Sequence, residues 1–146
     1  MASCDLAYAC SATASFGTPG VNIGLFCSTP MVALSRNIPR KAAMEMLLVG
    51  EAASCADAVA YGLVNRSVPT PAELDDLVDS VASKIASKST LTVAVGKKAF
   101  YSQLEKGLSD AYKEANVVMT ANMMARDAKE GITAFVGKRE PSWEDR

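Results

Sequence analysis

Apolar and small residues crowd the chain up to about residue 70, whereas from Pro71 onward apolar side chains recur at helical spacing among charges. Asp5 to Ala9 and Ala14 to Phe16 are short, mostly apolar runs separated by small residues, the pattern of two short buried strands. Pro19-Gly20 marks a turn. From Pro30 helix signals take over, and Pro39 opens a run, Lys41-Ala-Ala-Met-Glu-Met-Leu-Leu-Val49, that Gly50 closes. Ser54 with Asp57 three places on predicts a capping box, in which each side chain satisfies an orphan amide, and that helix stops at Gly62. Leu63 to Val68 predicts a third short strand. Thr70-Pro71-Ala72-Glu73 combines a cap, a proline at the first helical position and an acid at the third. It is followed by Leu74, Leu77, Val78, Val81, Ala82 and Ile85 on one stripe. The spacing predicts two further helices, about Leu91 to Glu105 before Gly107 and Asp110 to Ala125, and a last one capped by Asp127 with Glu130.

The expected fold class is therefore α/β, mostly helical with two or three short strands, divided into residues 1–70 and 71–146. Charge follows the same division: eight charged side chains lie in 1–70 and twenty-three in 71–146. The first part reads as interior and the second as solvated helices. A folded chain of 146 residues buries ~68–70% of its unfolded surface, so a core is expected. Two or three short strands with open edges nevertheless cannot close over so apolar a first half, which implies that further structure belongs in front of it.

Composition removes several function classes. Fifteen Lys and Arg against sixteen Asp and Glu leave a formal charge of -1, with no basic excess to neutralise a nucleic acid backbone. The four cysteines form no C-x-x-C pair and the chain has no histidine, which excludes a Cys/His zinc site and a Cys-His nucleophile. Buried or idle thiols are the expectation for Cys4, Cys10, Cys27 and Cys55. The uncharged stretch Leu6 to Ser35 is long enough to span a bilayer, but its glycines, prolines and hydroxyls read as soluble core. Nothing before Arg36 is basic and Asp5 comes early, so no targeting leader is legible at the start.

Four blocks, in order, carry a resemblance. The first is Ser15-Phe-Gly-Thr-Pro-Gly-Val-Asn-Ile-Gly-Leu-Phe-Cys-Ser-Thr-Pro30. The second and third are Ala42 to Gly50 and Ser54 to Gly62. The fourth is Asp127-Ala-Lys-Glu-Gly-Ile-Thr-Ala-Phe-Val-Gly-Lys-Arg139 with Pro141 and Trp143. Together they resemble the enoyl-CoA hydratase/isomerase (crotonase) family over essentially the whole chain. The resemblance implies the C-terminal part of a crotonase fold, a ClpP-like ββα spiral: residues 1–70 as the end of the ββα core with a helix pair, and 71–146 as the trimerising helices. It further implies an acyl-CoA thioester as ligand, coenzyme A as part of the substrate with no separate cofactor and no metal, hydro-lyase-type chemistry in fatty acid metabolism, a trimer or hexamer, and a mitochondrial address.

The same resemblance puts that chemistry in question. Hydrating an enoyl thioester needs a group to deprotonate water, another to protonate the α-carbon, and two amides to hold the thioester oxygen as enolate charge builds. The family's hydratases usually place a catalytic glutamate after the proline of the first block, where this chain has Gly20. Their second glutamate position falls two residues before Met1, and one oxyanion amide and most of the CoA-binding loop lie in the preceding half. Losing one oxyanion donor alone can cost ~10²–10³ in rate. No catalytic residue is therefore assigned, and this chain alone is expected to be inactive. The remaining readings are a non-catalytic binding or assembly module and a truncated product.

Substitutes and contacts follow from the same blocks. Thr18 and Asn22 flank Gly20 and are placed either to hold a water or to cap the turn, but neither is a base at neutral pH. Glu45, among Met44, Met46 and Leu47, reads as a solvent-facing helical glutamate more readily than as an acid with a raised pKa. Leu25, Phe26 and Met31 are candidates for an acyl pocket or for core packing. Phe135 and Lys138 match positions at which the family's C-terminal helix touches the adenine and phosphates of CoA, and lysine suits phosphate as a point charge.

Overall fold

Two three-residue strands, β1 (Tyr8–Cys10) and β2 (Arg66–Val68), pair in parallel with Tyr8 opposite Arg66 and Cys10 opposite Val68. A parallel pair needs a crossover, and three helices supply it: α1 (Pro30–Asn37), α2 (Arg40–Val49) and α3 (Cys55–Tyr61). The computed structural model describes residues 1–145. They form two units, Met1–Ser80 and the residues from Val81 on, with α4 (Pro71–Ala86) running through the division.

The core lies in the first unit. Ala9 of β1, Leu34 and Ile38 of the α1 end, Ala42, Ala43, Met46 and Leu47 of α2, and Ala58 and Val64 beyond it are buried together. The residues of α2 that face inward are spaced i, i+1, i+4, i+5, one stripe of a helix whose other face carries Met44, Glu45 and Leu48 to solvent. Glu45 is thus the surface glutamate its setting suggested. The helix ends are those the sequence marks: Ser54 accepts from the Asp57 amide while Asp57 accepts from the Ser54 amide, and Thr70 and Glu73 pair across the first turn of α4.

Three expectations in this unit need correction. Ala14 to Phe16 is no strand: the amides of Thr13 and Ala14 both donate to Cys10 O, folding the chain into a turn, and only Phe16 pairs, in an antiparallel bridge with Ala53. The first strand lies at Tyr8–Cys10 rather than Asp5 to Ala9, in register with a second that begins at Arg66 rather than Leu63. Helix begins at Pro30, where its signals start, but Pro30–Asn37 is a helix of its own, separate from the run that Pro39 opens. The stripe on α4 is shallow, for no residue of that helix is buried and Val78 and Ile85 are exposed.

From Val81 on the chain is helical: α5 (Thr90–Leu104), α6 (Leu108–Met123) and α7 (Arg126–Val136), with α5 and α6 packed along each other and α7 against both. Glu114 ties the α5–α6 hairpin, accepting from Ser102 Oγ at 2.7 Å and pairing with Lys106 at 2.9 Å. Asp127 is not the cap expected of it. The cap position is Ala125, and the Asp127 carboxylate, 2% exposed, instead accepts the amides of Glu144 and Asp145 at 2.8 and 3.1 Å. Ser89 also hydrogen-bonds this carboxylate, and that bond, followed by the Glu144 amide, holds its pKa below the usual carboxylate value. The residues after α7 therefore fold back as a strap, pinned further by Trp143 Nε1 donating to Ser87 O at 2.8 Å and by the Thr90 amide donating to Asp145 at 2.7 Å.

Among the described residues no helix is long and apolar enough to cross a membrane, and no group of His, Cys, Asp or Glu side chains could hold a metal ion.

Candidate functional site

Position 20 sits in a 3₁₀ turn, Pro19–Ile23, that packs on α2. Two side chains fasten the turn to the C-terminal end of that helix, where carbonyls lack intrahelical partners. Thr18 Oγ1, in a buried residue, donates to Met46 O at 2.8 Å, and Asn22 Nδ2 donates to Gly50 O at 3.0 Å. Both side chains are thus committed to backbone carbonyls at the end of α2, and Thr18 makes no side-chain cap to the turn itself. Gly50 lets this contact form: its φ of 70° is left-handed, and a Cβ there would stand 2.7 Å from Val21 and 2.8 Å from Asn22 Oδ1.

Gly20 is a packing requirement. The chain turns back at Gly24, and Leu25 N donates to Gly20 O at 2.9 Å. That brings the Leu25 carbonyl and the Cys27 thiol over position 20, so a Cβ built there would lie 2.7 Å from Leu25 O and 2.8 Å from Cys27 Sγ. Real Cβ atoms do not approach a backbone oxygen so closely, and the oxygen belongs to the main chain rather than to a side chain that can swing away. Segment 25–27 thus occupies the space through which a longer side chain would leave the backbone.

The other expected contacts divide between the units. Leu25, Phe26 and Met31 belong to the first, near Gly20 in the chain, but their side chains are exposed, Leu25 by 63%. A cavity of about 390 Å³ in this unit is walled instead by Phe16, Thr18, Ala33, Leu34, Met46 and Leu63, with residues at the chain start. Of these, Met46 was legible as an apolar position of a helix but not as a cavity wall, because only the packing of α1 on α2 sets it beside Leu34. Phe135 and Lys138 belong to the second unit, at the end of α7. Phe135 is 85% exposed, unusual for so large an aromatic.

Lys138 has φ 50°, a left-handed conformation that L side chains adopt at a cost. The amide of Lys138 donates to Phe135 O and that of Arg139 to Ala134 O, closing the helix end. Arg139 then reaches back to Glu130, with Nη1 to Oε1 at 2.6 Å and Nη2 to Oε2 at 2.8 Å, a bidentate pair. Ser142 N adds a third bond to the same carboxylate at 2.9 Å. The Arg139 guanidinium and then the Ser142 amide hold the Glu130 carboxyl down to about 2. Sequence reasoning assigned Glu130 to a cap with Asp127 and missed this pair; the nine-residue spacing, with Arg139 in a segment that doubles back, carries no periodic signal.

The enoyl-CoA hydratase/isomerase family model matches residues 1–146. The chain belongs to that family. Rat enoyl-CoA hydratase domain-containing protein 3, mitochondrial, is 50% identical over 143 residues, which are 98% of this chain and 47% of the rat protein. Among solved structures, an enoyl-CoA hydratase of Mycobacterium smegmatis superposes with a TM-score of 0.92 at 51% identity, covering 97% of this chain and 55% of that one. Human enoyl-CoA hydratase domain-containing protein 3 gives 0.91 at 51% identity, covering 97% and 55%. The chain spans about half the length of the curated relatives it matches. These likenesses establish the C-terminal part of the crotonase fold, in agreement with the resemblance read from the four blocks.

Proposed function

We propose that the protein is an acyl-CoA-binding member of the enoyl-CoA hydratase/isomerase family that takes enoyl-CoA thioesters as ligands in mitochondrial fatty acid metabolism. Family membership supports the ligand class, and the mitochondrial names of its relatives support the address. Hydro-lyase-type chemistry is the role the family implies. The single observation that weighs on that role is Gly20, where a proton-transferring side chain is absent and Leu25 O and Cys27 Sγ close over the position.

That packing favours a second reading over catalysis: a module that binds acyl-CoA and assembles as a trimer or hexamer without carboxylate-driven addition of water. Proton transfer by a positioned side chain contributes ~10²–10⁴-fold, so its loss at position 20 leaves weak turnover at most. Coenzyme A enters as part of the ligand, held in this reading by Phe135 against the adenine and Lys138 against a phosphate.

Calorimetric titration of the complete protein with a saturated acyl-CoA tests the reading. Saturable binding is expected, and its absence would remove both versions. Native mass spectrometry of the protein mixed with a full-length relative tests the assembly role: mixed trimers are expected, and exclusive homomers or monomers would contradict it.

A further inference from the structure

Lys138 takes the less favourable of two conformations that its sequence could have avoided. In the pair Gly137-Lys138 the glycine is right-handed, at φ −77°, while the lysine is left-handed, at φ 50°. Glycine bears the left-handed region without penalty and is the usual residue where a helix closes this way. A lysine held there needs surroundings that over-determine it, and such outliers cluster where a ligand is gripped.

The surroundings are specific. Arg139, the next residue, is locked to Glu130 by two hydrogen bonds, and its Nη1 also donates to Glu140 O at 3.1 Å. Ser142 N on the same carboxylate fixes the strap three residues further on, and the Trp143 ring lies on Gly131, where an added Cβ would meet it at 3.3 Å. Lys138 is thus the link between a helix end and an anchored strap, with both flanks fixed. Its setting also poses an electrostatic problem. A phosphate approaching the C-terminal end of α7 meets helix carbonyls, which repel it, so a cation there is useful only when held clear of them.

We propose that Glu130 and Arg139 are positioning residues that hold Lys138 in its left-handed conformation and so present its ammonium to a phosphate of coenzyme A. The inference rests on the acyl-CoA reading above. Neither residue touches the ligand; both act through Lys138.

The test titrates the complete protein with coenzyme A and with pantetheine, which lacks the phosphates. Lys138→Gly is expected to weaken coenzyme A binding by about tenfold, the loss of one charge-assisted contact, and to leave pantetheine binding unchanged. Glu130→Gln is expected to reproduce this selective loss, and the double variant to bind no more weakly than Lys138→Gly alone, because both act on one contact. Arg139→Lys, which keeps the charge but not the fork, is the gentler variant should Glu130→Gln fold poorly, and a partial selective loss is expected. Equal weakening toward both ligands, or additive losses in the double variant, would overturn the positioning role. If Lys138→Gly loses coenzyme A affinity and Glu130→Gln does not, the inference fails and the acyl-CoA reading stands. If the unaltered protein binds no coenzyme A, both fail together.

Discussion

At the scale of single residues, position 20 carries most of the functional argument, and its meaning depends on atoms five and seven residues further on. That position 20 is a glycine, where the resemblance implies a glutamate, is readable from the sequence alone. That Leu25 O and Cys27 Sγ fill the adjoining space is not, because it arises from the reversal at Gly24. Gly20→Ala should accordingly destabilise the protein by about 1–3 kcal/mol, the usual cost of overpacking, as measured by chemical denaturation. Gly20→Glu should cost at least as much and restore no hydration. A Gly20→Ala variant as stable as the parent would show that the segment yields easily, and the glycine would then be merely an absent acid. Lys138 makes the opposite prediction. Lys138→Gly should leave stability unchanged or raise it by up to about 1 kcal/mol in the same measurement, since it removes a left-handed side chain.

At the scale of elements, local signals read well where they act within one turn. The Ser54–Asp57 box, the Thr70–Glu73 pair and the ends at Gly50 and Gly62 all stand where the sequence puts them. Ser54→Ala should cost about 1 kcal/mol, the value of a side-chain cap, in a thermal melt of the complete protein. The misses share another cause. The Ala14–Phe16 run has strand composition, yet Cys10 O captures the amides of Thr13 and Ala14 before a ladder can form. Asp127 has the chemistry of a cap but faces two strap amides that no local pattern reveals. The strap itself should respond to acid. Glu130 ionises at about 2 in the fold against an ordinary 4.5. Because the folded value is the lower one, its contribution is fully present above pH 4.5 and is lost as pH falls towards 2. Hydrogen exchange at the Ser142 amide should therefore accelerate over that window, and in Glu130→Gln it should be fast already at neutral pH. An exchange rate following the intrinsic acid dependence throughout would show that the carboxylate does not hold the strap.

For the whole molecule, the division of charge anticipated where the core lies but not how much apolar surface the later helices present. The buried cluster falls within Met1–Ser80, whereas Val117, Met119, Met124 and Phe135 are each more than half exposed. Periodicity identifies helices; it does not say which apolar stripe finds a partner within the same chain. Family and fold were legible because four blocks in order are far more specific than any one of them, and the 0.92 superposition bears them out. Function was legible only as an implied ligand class, since the chain spans about half the length of its relatives and position 20, where the resemblance implies a proton-transferring glutamate, is a glycine. The central claim is that this protein keeps the ligand and lacks the proton transfer. Its most direct test is a single-turnover experiment, with the complete protein in excess over an enoyl-CoA it has been shown to bind. The account predicts that the bound enoyl thioester persists, with hydration no faster than in buffer; rapid conversion to the 3-hydroxyacyl thioester would contradict it.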